Sequence, residues 1–289
     1  MNDLSIWTPR GAFEALKMEI RTKTIGSYAN LKKRTQLEII EDLPYNNIYY
    51  CCTQKTASQW FKKIFDDPVF YQYTGFVTRP YNKLGLKYAS IKGRLPDRTI
   101  ATHLYISHST FKAIPKLRKY KAFFILRDPR DVVVSWYFSA KKSHVLVDPI
   151  PHLRQNLESL NLQEGIKYMI DRLQEFGSFD TQKSWVLNKS NSNGEFEVFR
   201  YEDFSSDNYL FMRKLFQYLD VDMPESKFDN LLERCAFKRL SGGRQQGKED
   251  ANSHYRKGIP GDWENYFDSS ISTYFRDVTG DLLDVLGYS

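Results

Sequence analysis

The sequence predicts an α/β protein with a parallel β-sheet flanked by helices. Four short β-branched or aromatic runs, each bounded by polar residues, are typical of buried strands, and amphipathic helical patterns lie between and after them. Strands that alternate with helices favour a parallel sheet with helices on both faces. The 289 residues are enough for one large domain, and we expect a single domain over residues 1–289.

The predicted strands are residues 48–52, 99–102, 122–126 and 196–199. Apolar residues recur at helical spacing in 166–173, 212–219, 228–235 and 271–282, and such stripes form core faces. Residues 241–255 are rich in Gly, Gln, Lys and Asp, with almost nothing apolar. A loop of that length within a compact domain is often functional, so we predict a lid here. Ligands of open parallel sheets bind beyond the carboxyl ends of the strands.

Composition narrows the class of protein. Three cysteines (Cys51, Cys52 and Cys235) do not form a disulfide framework, and we interpret them as buried apolar residues. No metal-ligand spacing occurs, so no metal is expected. No apolar run reaches the roughly 18 residues of a membrane helix, and the N-terminus does not resemble a secretory signal. These features favour a cytoplasmic protein without a membrane partner.

The net charge of +7 is concentrated in one region. Residues 79–142 contain 15 Lys and Arg but only three acidic residues. Such a stretch attracts nucleotides, nucleic acids or acidic lipids, although a solvated basic surface is the structural alternative. No recognised nucleic-acid motif is present, so nucleic acid is not the expected partner. Strongly salt-dependent binding to DNA or RNA would favour that alternative.

A short polar loop follows the first predicted strand and precedes a helix. It contains Lys55, Thr56 and Ser58. Backbone N–H groups at the helix start, a lysine and two hydroxyls together form a cradle for an anion. The spacing differs from that of a Walker ATP-binding loop. Taken alone, the segment is equally typical of a solvated turn.

A second motif begins where the strand ends at Leu126. Asp128 suits a helix N-cap and Pro129 the first helical position, which leaves Arg127 at the strand's carboxyl end. Ser135 lies eight residues further on, a little over two helical turns. Both Arg127 and Ser135 can bind one phosphate only if the helix passes back beside the strand end. A simple capped turn is the alternative.

Two further segments have chemistry suited to a site. His103 follows a predicted strand, where catalytic bases are found in open sheets, although a lone histidine is more often structural. Arg256 and Lys257 precede Gly258, and a glycine after two cations permits close approach of the backbone to an anion. The alternative for this segment is an exposed basic turn.

Together these segments resemble the motifs of the cytosolic sulfotransferases that use 3′-phosphoadenosine 5′-phosphosulfate (PAPS). The matching segments, over about residues 45 to 270, are 54–60, 101–105, 127–135, 201–203 and 256–263. In the same order, they correspond to five family motifs: Tyr-Pro-Lys-Ser-Gly-Thr-Thr-Trp, Lys-Thr-His-Leu-Pro, Arg-Asn/Asp-Pro-Lys/Arg-Asp-Val-x-Val-Ser, Tyr-Glu-Asp and Arg-Lys-Gly-x-x-Gly-Asp-Trp. The resemblance implies a P-loop-like domain with about five parallel strands.

The resemblance also implies roles for individual residues. Lys55, His103 and Ser135 are the catalytic candidates, with His103 as general base and Lys55 stabilising the leaving phosphate. The nucleotide PAPS, or its product PAP, would contact Lys55, Thr56, Ala57, Ser58, Gln59, Trp60, Arg127, Ser135, Tyr201, Phe237, Arg256, Lys257 and Gly258. In this set, Trp60, Tyr201 and Phe237 would surround the adenine. The reaction needs no metal.

The chain departs from the family pattern at several positions. Ala57 replaces a Gly, Gln59 replaces a Thr, and Ala101 replaces a Lys. The family's dimer segment is missing after Trp263, so the oligomeric state stays open, and residues 1–44 show no clear match. A PAPS-binding protein without turnover and a nucleotide-dependent phosphotransferase are therefore alternatives to the sulfotransferase.

The acceptor is expected to be a diffusible alcohol, phenol or amine. A specialised metabolite, including a polar alkaloid, fits this description. Aromatic residues are candidates to line its pocket: those in 70–73, Tyr81, Tyr105, Trp136 and Tyr137.

Overall fold

The computed structural model describes residues 37–80, 93–146 and 149–289, and a five-stranded parallel sheet lies at its centre. Its strands are β1 (Asn47–Cys52), β2 (Val77–Pro80), β3 (Thr99–Leu104), β4 (Tyr120–Leu126) and β5 (Glu197–Arg200). Their order is β2-β3-β1-β4-β5, and each neighbouring pair is parallel. The predicted α/β fold with about five parallel strands is confirmed.

Thirteen α-helices occur in the described part of the chain. The first four are α1 (Ser58–Phe65), α2 (Pro68–Gln72), α3 (His108–Ala113) and α4 (Pro129–Phe138). Then follow α5 (Ile150–Glu158), α6 (Leu162–Glu175), α7 (Ser178–Lys189), α8 (Tyr201–Ser206) and α9 (Asn208–Tyr218). The last are α10 (Glu225–Arg234), α11 (Phe237–Leu240), α12 (Ser269–Thr279) and α13 (Leu282–Leu286). A π-helical turn, Ser139–Ser143, extends α4, and a 3₁₀ turn, Asp262–Asn265, precedes α12.

Both faces of the sheet are covered by apolar packing. Successive side chains of a strand point to opposite faces, so Tyr49 and Cys51 of β1 join one core while Tyr50 and Cys52 join the other. All six residues of β1 are buried, as expected for a central strand of a sheet with helices on both sides. The three cysteines are buried and reduced.

Two elements differ from the sequence predictions. Strand β2 was not predicted because Arg79 and Pro80 leave its four residues without an apolar or aromatic run, and it pairs with β3 alone. The apolar stripe 271–282 belongs to two helices rather than one. Gly280, with φ of +61°, ends α12 before α13 begins.

The predicted lid segment 241–255 contains no helix or strand. Backbone hydrogen bonds join this segment to the residues that follow it. Gly247 N–H donates to Lys257 O (2.8 Å), and Asp250 N–H donates to Arg256 O (3.0 Å). The guanidinium of Arg244 also donates to the Arg256 and Tyr255 carbonyls. The loop therefore lies against the Arg256-Lys257 pair, and a lid function stays a prediction. Residues 1–36 of the N-terminal segment, and Tyr81, lie outside the described residues.

Candidate active site

The predicted site residues lie at one edge of the sheet. Lys55 follows β1, His103 lies in the last residues of β3, Arg127 follows β4 and Tyr201 follows β5. All these strands are parallel, so their carboxyl ends meet at the same edge. Because β1 lies between β3 and β4, the strand order places Lys55 between His103 on one side and Arg127 on the other.

The loop between β1 and α1 is held by several hydrogen bonds. Thr56 Oγ1 donates to Thr53 O (2.8 Å), and Arg127 Nη1 donates to Lys55 O (2.7 Å). The Ala57 carbonyl accepts the first hydrogen bond of α1, from Trp60 N–H. These contacts fix the lysine-bearing loop to the end of β4.

Ala57 is in the left-handed backbone region, with φ of +59° and ψ of +24°. Ala57 stands where the family pattern has Gly, a residue that adopts positive φ without strain. A left-handed conformation costs an L-residue roughly 1–2 kcal/mol, and glycine avoids that cost. Lys55 also has a positive φ, of +69°, so the loop contains two strained positions within three residues.

We predict that Ala57→Gly raises the free energy of unfolding by about 0.5–1 kcal/mol, since the relieved strain exceeds the extra entropy of the unfolded chain. Urea denaturation measures this directly. The control is Ala113→Gly at the exposed end of α3, where glycine is expected to lower stability by a similar amount. Destabilisation by both variants would contradict the prediction.

Lys55 is surrounded by positive charge. Burial, followed by the charges of Arg127 and Arg256, lowers the pKa of Lys55 from 10.5 to about 7. Its Nζ lies 5.8 Å from the centre of the Trp136 ring on α4, so this helix passes beside the loop. The two guanidinium groups thus disfavour protonation of the Lys55 amine, and an anionic ligand between these cations would favour it.

Arg127 is buried and interacts with three groups. Besides donating to Lys55 O, its Nη2 lies 3.5 Å from Asp131 Oδ2, and its guanidinium carbon lies 4.2 Å from the Tyr201 ring centre. Its Nε is buried and has no hydrogen-bond partner within the described ranges. A buried donor without a partner is rare in native proteins, and it fits a polar ligand at this position.

Arg256 and Lys257 are held by acidic residues. Both donate to Asp262, and Arg256 Nη1 also donates to Glu249 Oε1 (2.7 Å). The guanidinium carbon of Arg256 lies 4.7 Å from the centre of the Phe138 ring on α4. This contact and the effect of Arg256 on Lys55 bring the Arg256-Lys257 segment to the same site as the Lys55 loop and the Arg127 motif.

Gly258 is a position where only glycine fits. Its φ is +75°, and a Cβ atom would lie 2.6 Å from the ring of Phe237. The predicted adenine residue Phe237 therefore packs directly on the Arg256-Lys257-Gly258 segment. An absent side chain at Gly258 permits both this packing and close approach of the backbone to a ligand.

His103 lies at a bulge in β3. Ala101 pairs with Tyr49 and Leu104 with Cys51, so β3 has one more residue than β1 in this interval, and His103 has φ of +39°. Bulges of this kind are frequent beside active sites. Burial, followed by the charge of Lys62, lowers the pKa of His103 to about 4 against the opposing effect of Asp66. The imidazole is therefore neutral at pH 7, the form that a base requires.

Tyr105 lies close to both His103 and Ser58, at the start of α1. Its hydroxyl is 3.1 Å from Ser58 Oγ at the start of α1, and its ring centre is 5.7 Å from that of His103. Among the aromatic residues predicted for the acceptor pocket, Tyr105 has the closest contacts with the base and the loop. Phe70, by contrast, is completely buried and packs on Phe65 in the core.

The remaining candidates differ in exposure. Trp60 is buried, its Nε1 donates to Cys235 O (2.6 Å), and its ring lies 4.5 Å from that of Phe204. Gln59 is exposed on α1, and Ser135 is half-buried on α4. Tyr201 is buried beneath Arg127. A contact of Trp60 or Tyr201 with adenine stays a prediction.

Sequence reasoning missed the acidic residues that hold the cations: Asp131, Glu249 and Asp262. Asp131 and Asp262 belong to matched motifs, which was the available signal, but neither was assigned a role. In residues 37–80, 93–146 and 149–289, no group of three or more metal-ligating side chains occurs. No helix in these ranges has the length and apolar character required to cross a membrane.

Known proteins share both sequence and fold with this chain. Sulfotransferase 2A2 of Mus musculus is 25% identical over 268 residues, which cover 84% of this chain and 88% of the relative. The 3-beta-hydroxysteroid sulfotransferase of Cavia porcellus is 26% identical over 194 residues, 61% of each protein.

Solved structures have the same fold. Mouse sulfotransferase SULT7A1 complexed with PAP has a TM-score of 0.56 at 19% identity, with 90% of each chain covered. Retinol dehydratase in complex with androsterone and the inactive cofactor PAP has a TM-score of 0.52 at 18% identity, over 83% of this chain and 82% of the other. A family model described as a sulfotransferase domain matches residues 25–287. The match spans most of the sequence, and the chain therefore belongs to the sulfotransferase family of enzymes.

Proposed function

We propose that this enzyme transfers a sulfuryl group from PAPS to a hydroxyl or amine of a small molecule. The main support is the convergence of Lys55, Arg127 and Arg256: burial first, and then the charges of the two arginines, lower the pKa of Lys55 to about 7. PAPS has a 5′-phosphosulfate and a 3′-phosphate, so it brings anionic groups to both ends of such a site. Both solved structures compared above are described as complexes with PAP.

The residues divide into two groups along the sheet edge. Lys55, with Ser58 at the start of α1, would bind the phosphosulfate, because the free N–H groups of the loop and helix favour an anion. Arg127, Arg256 and the Gly258 backbone would bind the 3′-phosphate. Ser135 on α4 would add a hydroxyl donor. The buried Nε of Arg127, which has no hydrogen-bond partner among the described residues, and the close packing at Gly258 fit this assignment.

When bound, the donor supplies an activated sulfuryl group whose bond to the bridging phosphate oxygen breaks as the acceptor atom binds sulfur. Protonated Lys55 would stabilise the negative charge that develops on that oxygen. His103 would receive the acceptor's proton, and its neutral imidazole at pH 7 is ready for this role. Positioning and electrostatic stabilisation account for most catalysis in comparable phosphoryl transfers.

The acceptor would bind on the β3 side of Lys55, where His103 and Tyr105 lie. A relative named for 3-beta-hydroxysteroids, and a neighbour solved with androsterone, fit an alcohol acceptor. Lys62 and Asp66, whose charges act on His103, form a partly buried ion pair on this side. We propose an alcohol, phenol or amine of small size as the acceptor class.

Calorimetric titration with PAP tests the nucleotide site. We expect micromolar binding to the wild type and at least tenfold weaker binding to Arg256→Ala, a loss of about 1.4 kcal/mol. The control is Arg276→Ala, because Arg276 is an exposed arginine on α12 outside the site. Absence of wild-type binding at millimolar PAP would exclude PAPS as the donor.

Single-turnover assays with labelled PAPS then separate an enzyme from a protein that only binds the nucleotide. Transfer of label to an alcohol, phenol or amine from a panel supports the proposal. Tight PAP binding with neither transfer nor slow PAPS hydrolysis would favour the binding protein.

A further inference from the structure

Two segments of the proposed 3′-phosphate site are joined by one buried carboxylate. Asp131 lies on the first turn of α4, four residues after Arg127, and its side chain is fully buried. Its Oδ2 accepts from Gly261 N–H (2.8 Å), and its Oδ1 accepts from Trp263 N–H (3.0 Å). The carboxylate thus fixes the backbone on both sides of residue 262 while facing Arg127.

The residue between those two anchored amides is Asp262. Its carboxylate accepts from Arg256, Lys257 and, at 3.0 Å, from Asn265 Nδ2. Burial acts to raise the pKa of Asp262, but the hydrogen bonds from Lys257 and Arg256 outweigh it and lower the pKa. Asp262 therefore stays ionised, and its position depends on the backbone that Asp131 anchors.

We propose that Asp131 is a positioning residue of the nucleotide site, which orients Arg127 directly and Arg256 and Lys257 through the Gly261–Trp263 backbone and the Asp262 carboxylate. This inference rests on the proposed function for the identity of the ligand. The Asp131 carboxylate would thus hold the cations in place for a bound anion, although its own negative charge repels that anion.

Loss of the Asp131 charge and loss of the geometry that Asp131 anchors have opposite effects on PAP affinity. The direction of the change in affinity therefore tests the inference. Removal of a negative charge near a phosphate site strengthens phosphate binding if nothing moves. Loss of the anchored geometry weakens binding, because the cations no longer converge. In Asp131→Asn the amide has a single oxygen acceptor, and its NH₂ group faces a backbone N–H. We expect the positional effect to dominate.

The first experiment is titration of Asp131→Asn with PAP, with a tenfold or greater rise in Kd expected. Glu249→Gln provides the matched comparison, since Glu249 pairs with Arg256 but anchors no backbone, and its side chain is 34% exposed. We expect Glu249→Gln to bind PAP as tightly as wild type or more tightly. If Asp131→Asn also binds equally or more tightly, the positioning role is wrong.

Lost stability is separated from lost positioning by Asp128→Asn. Asp128 is buried at the start of the same helix, accepts from a backbone N–H and pairs with Arg130 rather than with the nucleotide residues. It is expected to lower the urea midpoint while changing Kd less than threefold. Equal losses of PAP affinity in both variants would show a purely structural effect and overturn the inference.

Proton uptake gives a readout that fold stability does not affect. If Arg127 and Arg256 move apart in Asp131→Asn, they depress the pKa of Lys55 less, and fewer protons are bound together with PAP at pH 8. If Asp131→Asn fails to fold, Asp262→Asn is used instead, because it keeps both hydrogen bonds to Asp131, and the same two changes are expected. If a folded Asp262→Asn binds PAP with unchanged affinity, Asp131 does not orient Arg256 and Lys257 through Asp262. Failure of wild type to bind PAP would instead contradict the proposed function.

Discussion

Lys55→Met is expected to lower kcat by about 10²–10³ while the chain stays folded. Methionine keeps much of the side-chain length but removes the charge that would stabilise the leaving phosphate oxygen, and loss of one such preorganised group costs this much in other enzymes. Steady-state or single-turnover transfer from PAPS measures the effect. PAP affinity should fall as well, since Lys55 contributes to ground-state binding of the anion.

The matched control is Lys63→Met on α1, the helix that follows the Lys55 loop. Lys63 is an exposed lysine of α1, so its replacement should leave kcat within about twofold. A less than tenfold fall in kcat for Lys55→Met would contradict the assigned role and indicate that Arg127 or Arg256 carries the stabilisation.

The pKa of Lys55 gives this site a pH signature. In the free enzyme the pKa is about 7, and a bound anion favours the protonated amine. PAP binding at pH 8 should therefore take up protons, and affinity should fall as the pH rises above 7. Calorimetry in buffers of different ionisation heat counts these protons, and Lys55→Met should abolish the uptake. In the free protein, the unfolded state binds more protons between pH 7 and 10.5, so the contribution of Lys55 to stability rises with pH in that window.

His103→Gln is expected to lower kcat by about 10²–10⁴, the range for loss of a general base, with little change in PAP affinity. Glutamine keeps hydrogen-bonding capacity but cannot accept the acceptor's proton. His152→Gln on α5 is the control, because His152 is exposed and far from this strand end in sequence. Tenfold weaker PAP binding in His103→Gln would assign His103 to nucleotide binding instead.

The pH dependence of His103 has a defined sign. Its pKa in the folded protein is about 4, so the base stays deprotonated from pH 5 upwards and should impose no acidic limb on kcat there. An acidic limb near pH 6.5 that disappears in His103→Gln would contradict this burial effect. Because the unfolded chain binds the proton between pH 4 and 6.5, the contribution of His103 to stability is lost as the pH falls through this window.

The sequence predicts the sheet well where strands are buried on both sides. Local composition reveals the buried strands β1, β3 and β4, while the half-buried edge strand β5 is revealed only by Phe196, Val198 and Phe199. Strand β2 contains Arg79 and Pro80 and lies at the sheet edge, where one neighbour supplies its pairing and no local pattern distinguishes it from a loop. The apolar spacing of 271–282 continues across two helices, although the first of them ends at Gly280. Apolar periodicity alone does not reveal such a change of backbone direction.

The candidate site was predictable in part. Strand ends mark Lys55, His103 and Arg127, since a parallel sheet brings its carboxyl ends together. The contacts of Asp131 with Gly261 and Trp263 span 130 residues and more, and nothing local in the sequence pairs them. The pKa values of Lys55 and His103 likewise depend on burial and on neighbours from other elements, which only the folded chain supplies.

The central position of β1 in the sheet also affects how substitutions can change the acceptor preference of such an enzyme. Arg127 and Tyr201, which we propose for nucleotide binding, follow β4 and β5, while His103 and Tyr105 lie on the β3 side of Lys55. Substitutions around β2 and β3 can therefore alter acceptor preference without passing through a state that has lost the donor. A laboratory search for new acceptors should therefore randomise the β3 side but keep His103 and Tyr105, because Tyr105 contacts Ser58, which we propose binds the phosphosulfate.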